Sequence, residues 1–345
     1  GTSAAWRADF LAVLSSGNHR RDVADGAERA ADGLVPLLAD RDARATAHAA
    51  LDAVATNGRE RSWTGAGKRG EALCASWVQQ EKDRGYDQEA EELEDDLKVA
   101  VRCLPQSLRE FLEAYAEPPP HDVESSDVSL DEHTATVYVV LRWLAVIRLV
   151  EHLPKNYRGP VSRYLAHTRS LAHVFALCLD WADLHALNSA RGAADRWQDA
   201  HVSSADYDDE DAVSDLCAHA IYATVTSLPA AVKAWWEDDC PRSSSNAFLK
   251  FVQERVGPSF LDGELAAIAR TDAAALGGLA VAGSRVSREV TATYVQDECE
   301  LRVVVRVPPA FPLRNVEVDC RGSLGVRADR WRRWQLQITR RLGGD

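Results

Sequence analysis

The spacing of apolar residues changes once along this chain, close to residue 283. Before that point, apolar side chains recur every three or four residues, most clearly between Val137 and Val150, which is the period of an amphipathic helix. After it, apolar and polar residues alternate, as they do between Leu301 and Val307, which is the period of a strand with one buried face. This change predicts two structural classes, helices first and then a small sheet.

The helical part, residues 1–283, consists of amphipathic segments separated by short stretches containing Gly, Pro or Asn. It shows neither the alternation of strands and helices that a parallel sheet needs nor an exact repeat of fixed length. Both observations favour an irregular α-solenoid of the HEAT or ARM type. A compact helical bundle is the alternative, but a bundle seldom uses so many helices around one core.

The remaining residues, 284–345, are predicted to form a small α+β domain, so the fold class is mostly α with an α+β end. Three strands in an antiparallel meander precede one helix, which runs from about Ala328 to Leu342. Apolar side chains along one stripe of that helix are expected to lie on the sheet. The residues predicted to form the core of this domain are Trp331, Trp334, Ile338 and Phe311.

Charge is distributed unevenly between these two parts. The chain has 53 acidic residues and 40 Lys and Arg residues, for a net charge of −13. Residues 285–345 hold twelve Arg, no Lys and eight acids, which is a net charge of +4 and leaves −17 on the first 284 residues. Nucleic acid would repel the acidic part and attract the basic part.

No catalytic, metal or cofactor site is predicted. The chain lacks a GxSxG motif, a P-loop, an HExxH motif and a dinucleotide-binding glycine pattern. Its seven cysteines are odd in number and widely spaced, which is typical of reduced thiols in the cytoplasm and excludes a CxxC zinc site. We expect no membrane partner, since no signal peptide is visible and the most apolar stretch is shorter than the roughly 20 residues of a spanning helix.

Two groups of residues are candidates for binding. Trp235 and Trp236 are adjacent, so they point about 100° apart on a helix and are buried together only where two neighbours cover it. We predict an inter-repeat core for this pair, with an exposed partner surface as the alternative. The second group is an arginine cluster near the C-terminus, whose alternative role is a solubilising helix face. Its members are Arg327, Arg330, Arg332, Arg333, Arg340 and Arg341.

Several stretches resemble the listerin family of RING-type E3 ubiquitin ligases. One is Leu228–Trp236 and another is Phe251–Leu265. The tail carries the closest match, with Phe311-Pro312-Leu313 after a valine strand and Trp331-Arg332 with Trp334 near the end. A generic RWD motif has Tyr at the position of Phe311 and a second proline at the position of Val316, and the latter departure agrees with the listerin family.

The resemblance implies HEAT-like repeats over residues 1–283 and an RWD-like domain over residues 284–345. It further implies the ribosome-docking part of a ligase that marks stalled nascent chains on the large ribosomal subunit, close to the nascent-chain exit. The RING, with its zinc ions and its ubiquitin-conjugating enzyme, is absent from these residues, so this chain should be inactive alone. Other quality-control factors are further candidate partners, and the implied location is the cytoplasm. The candidate ribosome-binding residues are the six arginines named above and Gly325.

A different class of function also fits these residues. A helical-repeat scaffold with an RWD-like protein-interaction domain would need no ligase activity. A cluster of about eight closely spaced Cys and His residues, as a RING requires, would distinguish the two in the full-length sequence.

Overall fold

A computed structural model describes most of the chain from residue 68 onward and isolated residues before it. The described residues are 33–35, 38, 47, 50, 51, 68–116, 132–185, 207, 209–271, 278–296, 299–323 and 327–342. They form two compact units, one of residues 1–183 and 192–231 and the other of residues 184–191 and 232–345.

The helices of the described residues are numbered in chain order. They are α1 (Lys68–Asp83), α2 (Asp87–Cys103), α3 (Gln106–Glu113), α4 (Glu132–His152), α5 (Lys155–His167), α6 (Ser170–Trp181), α7 (Glu210–Ser227), α8 (Pro229–Asp238), α9 (Arg242–Phe251), α10 (Gly257–Arg270) and α11 (Ala328–Leu342). A π-helical turn, Val252–Val256, joins α9 to α10. The strands are β1 (Leu279–Ser284), β2 (Glu289–Gln296), β3 (Cys299–Arg306) and β4 (Glu317–Ser323).

The described part of the first unit consists of helices that pack against one another, including pairs that are separated by other helices in the chain. Helix α2 packs against α1 and α5, and α7 packs against α4 and α6. Helix α4 lies deepest, because apolar residues surround most of its circumference and a helix of that kind is stable only when covered on several sides. Eleven of its residues between Thr136 and Val150 are buried.

Buried hydrogen bonds connect the helices of this unit. The indole Nε1 of Trp143 on α4 donates to Thr224 Oγ1 on α7 over 2.8 Å. The phenol of Tyr164 on α5 donates to Glu113 Oε1 on α3 over 2.7 Å. Burial and the charge of Glu113 both raise the pKa of Tyr164 far above its usual range. Since a buried polar group without a partner is costly, these bonds stabilise one arrangement of the helices.

Helix α4 is also the one helix of the described residues that is long and apolar enough to cross a membrane. Of its most apolar stretch, 61% is buried inside the structure. The core helix of a globular unit has the same length and composition, so this property is weak evidence for a membrane span.

The second unit contains a four-stranded antiparallel sheet in the order β1–β2–β3–β4. The register pairs Val290 of β2 with Val305 of β3, and Val305 with Val318 of β4. A β-bulge lies between Arg302 and Val303. On one face of β3, Leu301, Val303 and Val305 are half-buried. On the other face, which carries Arg302 and Arg306, Val304 is 1% exposed. Val304 is therefore covered, although Arg302 and Arg306 on the same face are partly exposed.

The strand count corrects the sequence prediction, which had three strands. The additional strand is β1, whose sequence Leu-Ala-Val-Ala-Gly-Ser is made mostly of small residues. It lies at the sheet edge and is largely exposed, so it lacks the apolar alternation that marks a half-buried strand. The domain boundary predicted at residue 284 falls at the end of this strand and stays a prediction.

A proline-containing segment joins the sheet to helices α8 and α10 within the second unit. Its residues Ala310 and Leu313 are almost fully buried, and the Phe311–Pro312 peptide bond is cis. The ring of Phe311 packs edge-on against Phe260 of α10, with 5.4 Å between centroids. This segment, between β3 and β4, is thus part of the core and not a surface loop.

Two further contacts join the same parts of the unit. Lys233 Nζ on α8 donates to Asn315 Oδ1 over 2.7 Å. The guanidinium of Arg288, at the end of the β1–β2 turn, donates to the carbonyl oxygens of Val307 and Pro308 over 2.9 and 3.2 Å. Helices and sheet are therefore interdependent here. The predicted fold class, helical repeats followed by a small α+β domain, is confirmed.

Candidate functional site

Helix α11 carries the arginine cluster and lies beside β4. The side-chain amide of Gln335 donates to the carbonyl oxygen of Val318 over 2.6 Å, which ties the middle of the helix to the strand. At its N-terminus, the backbone N–H groups of Arg330 and Trp331 donate to the carbonyl oxygen of Arg327 over 3.1 and 3.0 Å. The helix is therefore tied to β4 at its middle, and its first turn is closed by its own backbone bonds.

The described arginines of this cluster face solvent. They are Arg327, Arg330, Arg332 and Arg333. The side chain of Arg327 is 86% exposed and that of Arg333 is 75% exposed, and both approach the carboxylate of Asp329, at 3.3 and 3.8 Å. Exposed ion pairs of this kind contribute little to stability, so both guanidinium groups remain available to a ligand. The side chains of Arg340 and Arg341 and all of Gly325 lie outside the described residues.

The predicted apolar stripe of α11 is only partly covered. Trp331, Trp334 and Ile338 are each half-buried. The guanidinium of Arg330 lies 5.0 Å from the ring centroid of Trp334, which is a cation–π contact. Leu336, which the sequence reading did not single out, is 71% exposed. The roles of the stripe and of the arginines stay predictions, but their placement puts apolar and cationic groups on one accessible helix.

The tryptophan pair on α8 is divided between two environments. Trp235 is 5% exposed and packs edge-on against Phe248 of α9, with 5.2 Å between centroids. Trp236 is half-buried, and its buried indole Nε1 has no hydrogen-bond acceptor among the residues that the structure describes. The burial of Trp235 is compatible with the predicted inter-repeat core, which stays a prediction.

A second charged surface, which sequence reasoning missed, lies on one face of the sheet. Glu289 accepts hydrogen bonds from Arg306 over 2.8 Å and from Arg321 over 3.2 Å. Arg306 also lies 3.8 Å from carboxylate oxygens of Glu317 and of Asp319. The bond from Arg306 lowers the pKa of the Glu289 carboxyl, and the same bond raises the pKa of Arg306. Arg306 and Arg321 pair with a carboxylate of another strand, whereas Arg327 and Arg333 approach a carboxylate close to them in the chain. Only the strand register could have revealed the pairing between strands.

The described cysteines do not resemble activated nucleophiles. Burial raises the pKa of Cys74 and of Cys103 to about 11. A hydrogen bond with Cys217, together with burial, raises the pKa of Cys178. A thiol reacts as its thiolate, so these groups are inert near neutral pH. Within the described ranges, no group of three or more His, Cys, Asp or Glu side chains is placed to hold a metal ion.

Comparison with known proteins assigns a family to both parts of the chain. Residues 76–269 match the model described as the LTN1 family HEAT repeat region, and residues 279–344 match the ubiquitin conjugating domain-like model. The second match begins at the first residue of β1.

Individual relatives give the same result at modest identity. The E3 ubiquitin-protein ligase listerin of Gallus gallus is 25% identical over 221 residues, which is 61% of this chain and 12% of the relative. That of Xenopus tropicalis is 24% identical over 210 residues, or 58% of this chain and 12% of the relative. That of Schizosaccharomyces pombe is 27% identical over 130 residues, which is 36% of this chain and 8% of the relative.

Fold and surface together define a protein in which helical repeats are followed by a ubiquitin-conjugating-like α+β unit whose helix carries exposed arginines. Because the family model covers more than half of its residues, the chain belongs to the LTN1 family of listerin proteins. It spans about an eighth of the length of the chicken and frog relatives.

Proposed function

We propose that this chain is the ribosome-docking, C-terminal part of an E3 ubiquitin ligase that marks stalled nascent chains on the large ribosomal subunit for degradation. The observation that carries the proposal is the order of the two family matches, an LTN1 HEAT repeat region followed directly by a ubiquitin-conjugating-like domain. The relatives that match the chain are named as E3 ubiquitin ligases.

The charge distribution supports a docking role for the C-terminal unit. The first 284 residues carry a net charge of −17, so ribosomal RNA repels them. Among the described residues, Arg327, Arg330 and Arg333 are exposed, and each contacts either the carboxylate of Asp329 or the ring of Trp334. A guanidinium group binds phosphate and carboxylate in the same forked geometry, so α11 can contact either RNA or protein beside the nascent-chain exit.

No chemical step is assigned to this chain. In the proposed ligase, a RING outside these residues holds zinc and the ubiquitin-conjugating enzyme, and a RING ligase has no covalent intermediate of its own. The chain would contribute position, since it holds the RING at a defined place on a cytoplasmic ribosomal subunit. Other quality-control factors would be further partners of the helical repeats.

Sedimentation with purified large subunits tests the docking surface. Replacing Arg330, Arg333 and Arg340 by Glu should abolish most binding without unfolding the unit, because the side chains of Arg330 and Arg333 are exposed. The matched control replaces three exposed arginines elsewhere, Arg84, Arg102 and Arg270, with the same change in charge. Binding of the unmodified chain should weaken as the salt concentration rises.

Two results would contradict this surface. If both triple variants bind equally, α11 is not the contact. If the unmodified chain does not sediment with the subunits at low salt, docking by this part fails and the scaffold alternative is favoured. In a separate assay with activating enzyme, conjugating enzyme and ATP, the chain should not increase ubiquitin-chain formation, and robust synthesis would show that it holds a catalytic module of its own.

A further inference from the structure

Strand β1 forms one edge of the sheet in the second unit, and its backbone is accessible there. It pairs with β2 in a regular register from Leu279 to Ser284, without the bulge that interrupts the pairing of β3 with β4. Gly283 is exposed, and because a glycine has no side chain, its exposed surface is backbone. Ala280 and Ala282 are exposed as well. Since alternate residues of an edge strand direct their N–H and C=O groups away from the sheet, β1 presents backbone donors and acceptors to solvent.

Helix α10 covers a face of β1 and not its edge. A Cβ added at Gly283 would overlap the Cδ2 atom of Leu265 on α10. Because Cβ bonds point out of the plane of a sheet, this contact lies on a face of the strand. Asp262 Oδ2, three residues earlier on α10, lies 2.9 Å from Nη2 of Arg285, the residue that follows β1. The strand is therefore held in place by a helix while its edge stays accessible.

The opposite edge of the sheet shows how an edge strand is protected. Strand β4 carries three charged and exposed residues, Glu317, Asp319 and Arg321. Its Val318 carbonyl oxygen accepts a hydrogen bond from Gln335 of α11. Charged side chains, proline, bulges and covering helices are the usual devices that keep an edge from pairing with another chain. The sequence of β1, Leu-Ala-Val-Ala-Gly-Ser, contains neither proline nor charge. Of these two edges, that of β1 is therefore the one suited to pairing with a further strand.

We propose that β1 accepts an extended segment of a partner protein as a fifth strand, with an acidic residue of that segment beside Arg285. Backbone hydrogen bonds supply the affinity in such pairing, and alternate side chains of the segment continue the two faces of the sheet. On one face they would lie next to Leu279 and Val281, which are half-buried, so apolar residues are expected there. On the other face they would lie next to Ala280 and Ala282, whose small side chains leave room for larger ones.

Charge favours an acidic partner segment over a second copy of this chain. The side chain of Arg285 is 71% exposed, and its pair with Asp262 contributes little to stability, so the guanidinium can bind another carboxylate. Residues 285–345 carry a net charge of +4, which attracts an acidic segment and repels the same residues of a second copy. This edge is distinct from the arginines of α11, and the proposal does not depend on ribosome docking.

Amide hydrogen exchange of the full chain tests this edge, with the synthetic peptide acetyl-Glu-Val-Thr-Val-Thr-Val-Glu-amide as the probe. An acid at each end places one carboxylate beside Arg285 in either strand direction. At saturating peptide, exchange at alternate amides of residues 279–284 should slow by about tenfold or more, because the outward N–H groups become hydrogen-bonded. The same peptide with N-methyl groups on two neighbouring central residues, which obstruct both of its edges, should leave this exchange unchanged.

Charge variants test the chemistry of the partner. Replacing both glutamates of the peptide by lysine should weaken binding by about threefold or more, and so should R285E. The matched control R84E, at an exposed arginine of the first unit, should bind the peptide as the unmodified chain does.

Four results would overturn the proposal. Equal protection by the N-methylated peptide, or no protection of residues 279–284 at millimolar peptide, would show that β1 is not a docking edge. Equal or stronger binding of the lysine peptide would overturn the assignment to an acidic segment. Concentration-dependent dimerisation that slows exchange of the same amides would show that a second copy of the chain occupies the edge.

Discussion

At the scale of single residues, two tryptophans illustrate how strongly burial determines what a side chain contributes to stability. Trp143 is fully buried in the first unit and donates to Thr224, whereas Trp331 of α11 is half-buried in the second. Both are followed three residues later by another large apolar residue, Val146 and Trp334. The local sequence pattern is thus similar, and only packing distinguishes them.

We expect Trp143→Ala to cost about 3–5 kcal/mol of unfolding free energy, the usual range for truncating a buried aromatic residue. Trp331→Ala should cost about 1–2 kcal/mol, because roughly half of the apolar area is already in water. Denaturant unfolding followed by circular dichroism measures both. Equal costs would show that α11 is buried as deeply as α4.

His167 gives the chain a pH dependence that can be measured. Its ring stacks on Trp77 with 5.4 Å between centroids, and burial lowers its pKa, opposed by the charge of Glu81. The unfolded chain then binds the proton at higher pH than the folded chain does. Stability should therefore fall as the pH drops below about 6.5, the ordinary histidine value, and through the lower folded pKa.

The variant His167→Phe keeps a ring on Trp77 but removes the titrating group. Between about pH 7.5 and 5.5, its free energy of unfolding should fall less steeply than that of the unmodified chain. Identical slopes for the two proteins would show that His167 titrates alike in the folded and unfolded states.

At the scale of elements, the contact between α10 and the proline-containing segment decides how the second unit packs. An added Cβ at Gly257, the first residue of α10, would lie 2.5 Å from the carbonyl oxygen of Pro309 and 3.3 Å from that of Val252. Both are backbone atoms, which cannot move aside as a flexible side chain can. A glycine is needed here for close approach and not for an unusual φ, which is −58°.

Gly257→Ala should therefore destabilise the second unit by about 1–3 kcal/mol, as expected for overpacking. Gly263 lies on the same helix with open space around its Cβ position, so Gly263→Ala is the matched control. The control should be neutral or up to about 1 kcal/mol stabilising, because alanine favours a helix over glycine. Thermal unfolding of the two variants distinguishes them, and a stable Gly257→Ala protein would show that the helix and the proline-containing segment are loosely packed.

At the scale of the whole molecule, the second compact unit extends well before the sheet. It includes residues 232–345, and therefore α9, α10 and most of α8. Trp235 and Phe248 pack together, and Phe260 and Phe311 join α10 to the segment between β3 and β4. The sheet of residues 284–345 alone would lack β1 and would expose the apolar side of the proline-containing segment.

We therefore expect a fragment of residues 232–345 to fold and a fragment of residues 284–345 to remain largely unfolded. Amide proton dispersion in NMR spectra and a cooperative thermal transition would report folding of each. An intermediate fragment of residues 279–345 restores β1 without the helices and so separates the two contributions. A cooperative transition in the shortest fragment would establish the boundary predicted at residue 284 as that of an independent domain.

The sequence by itself determined the features that depend on local periodicity. Apolar spacing predicted the helical repeats, the later strands and α11, because a side chain's direction repeats every 3.6 residues in a helix and every two in a strand. Charge counts predicted the contrast between the acidic first 284 residues and the basic residues 285–345, since charge is a property of composition. The exposed positions of Arg327 and Arg333 agree with that reading.

Other features were decided only by tertiary structure, because they depend on residues distant in the chain. The edge strand β1 has little pattern of its own and is ordered through its pairing with β2. The packing of Phe311 against Phe260 joins the segment between β3 and β4 to a helix that precedes the sheet by many residues. Neighbours of this kind are absent from any local window of sequence, so periodicity and composition carry no information about them.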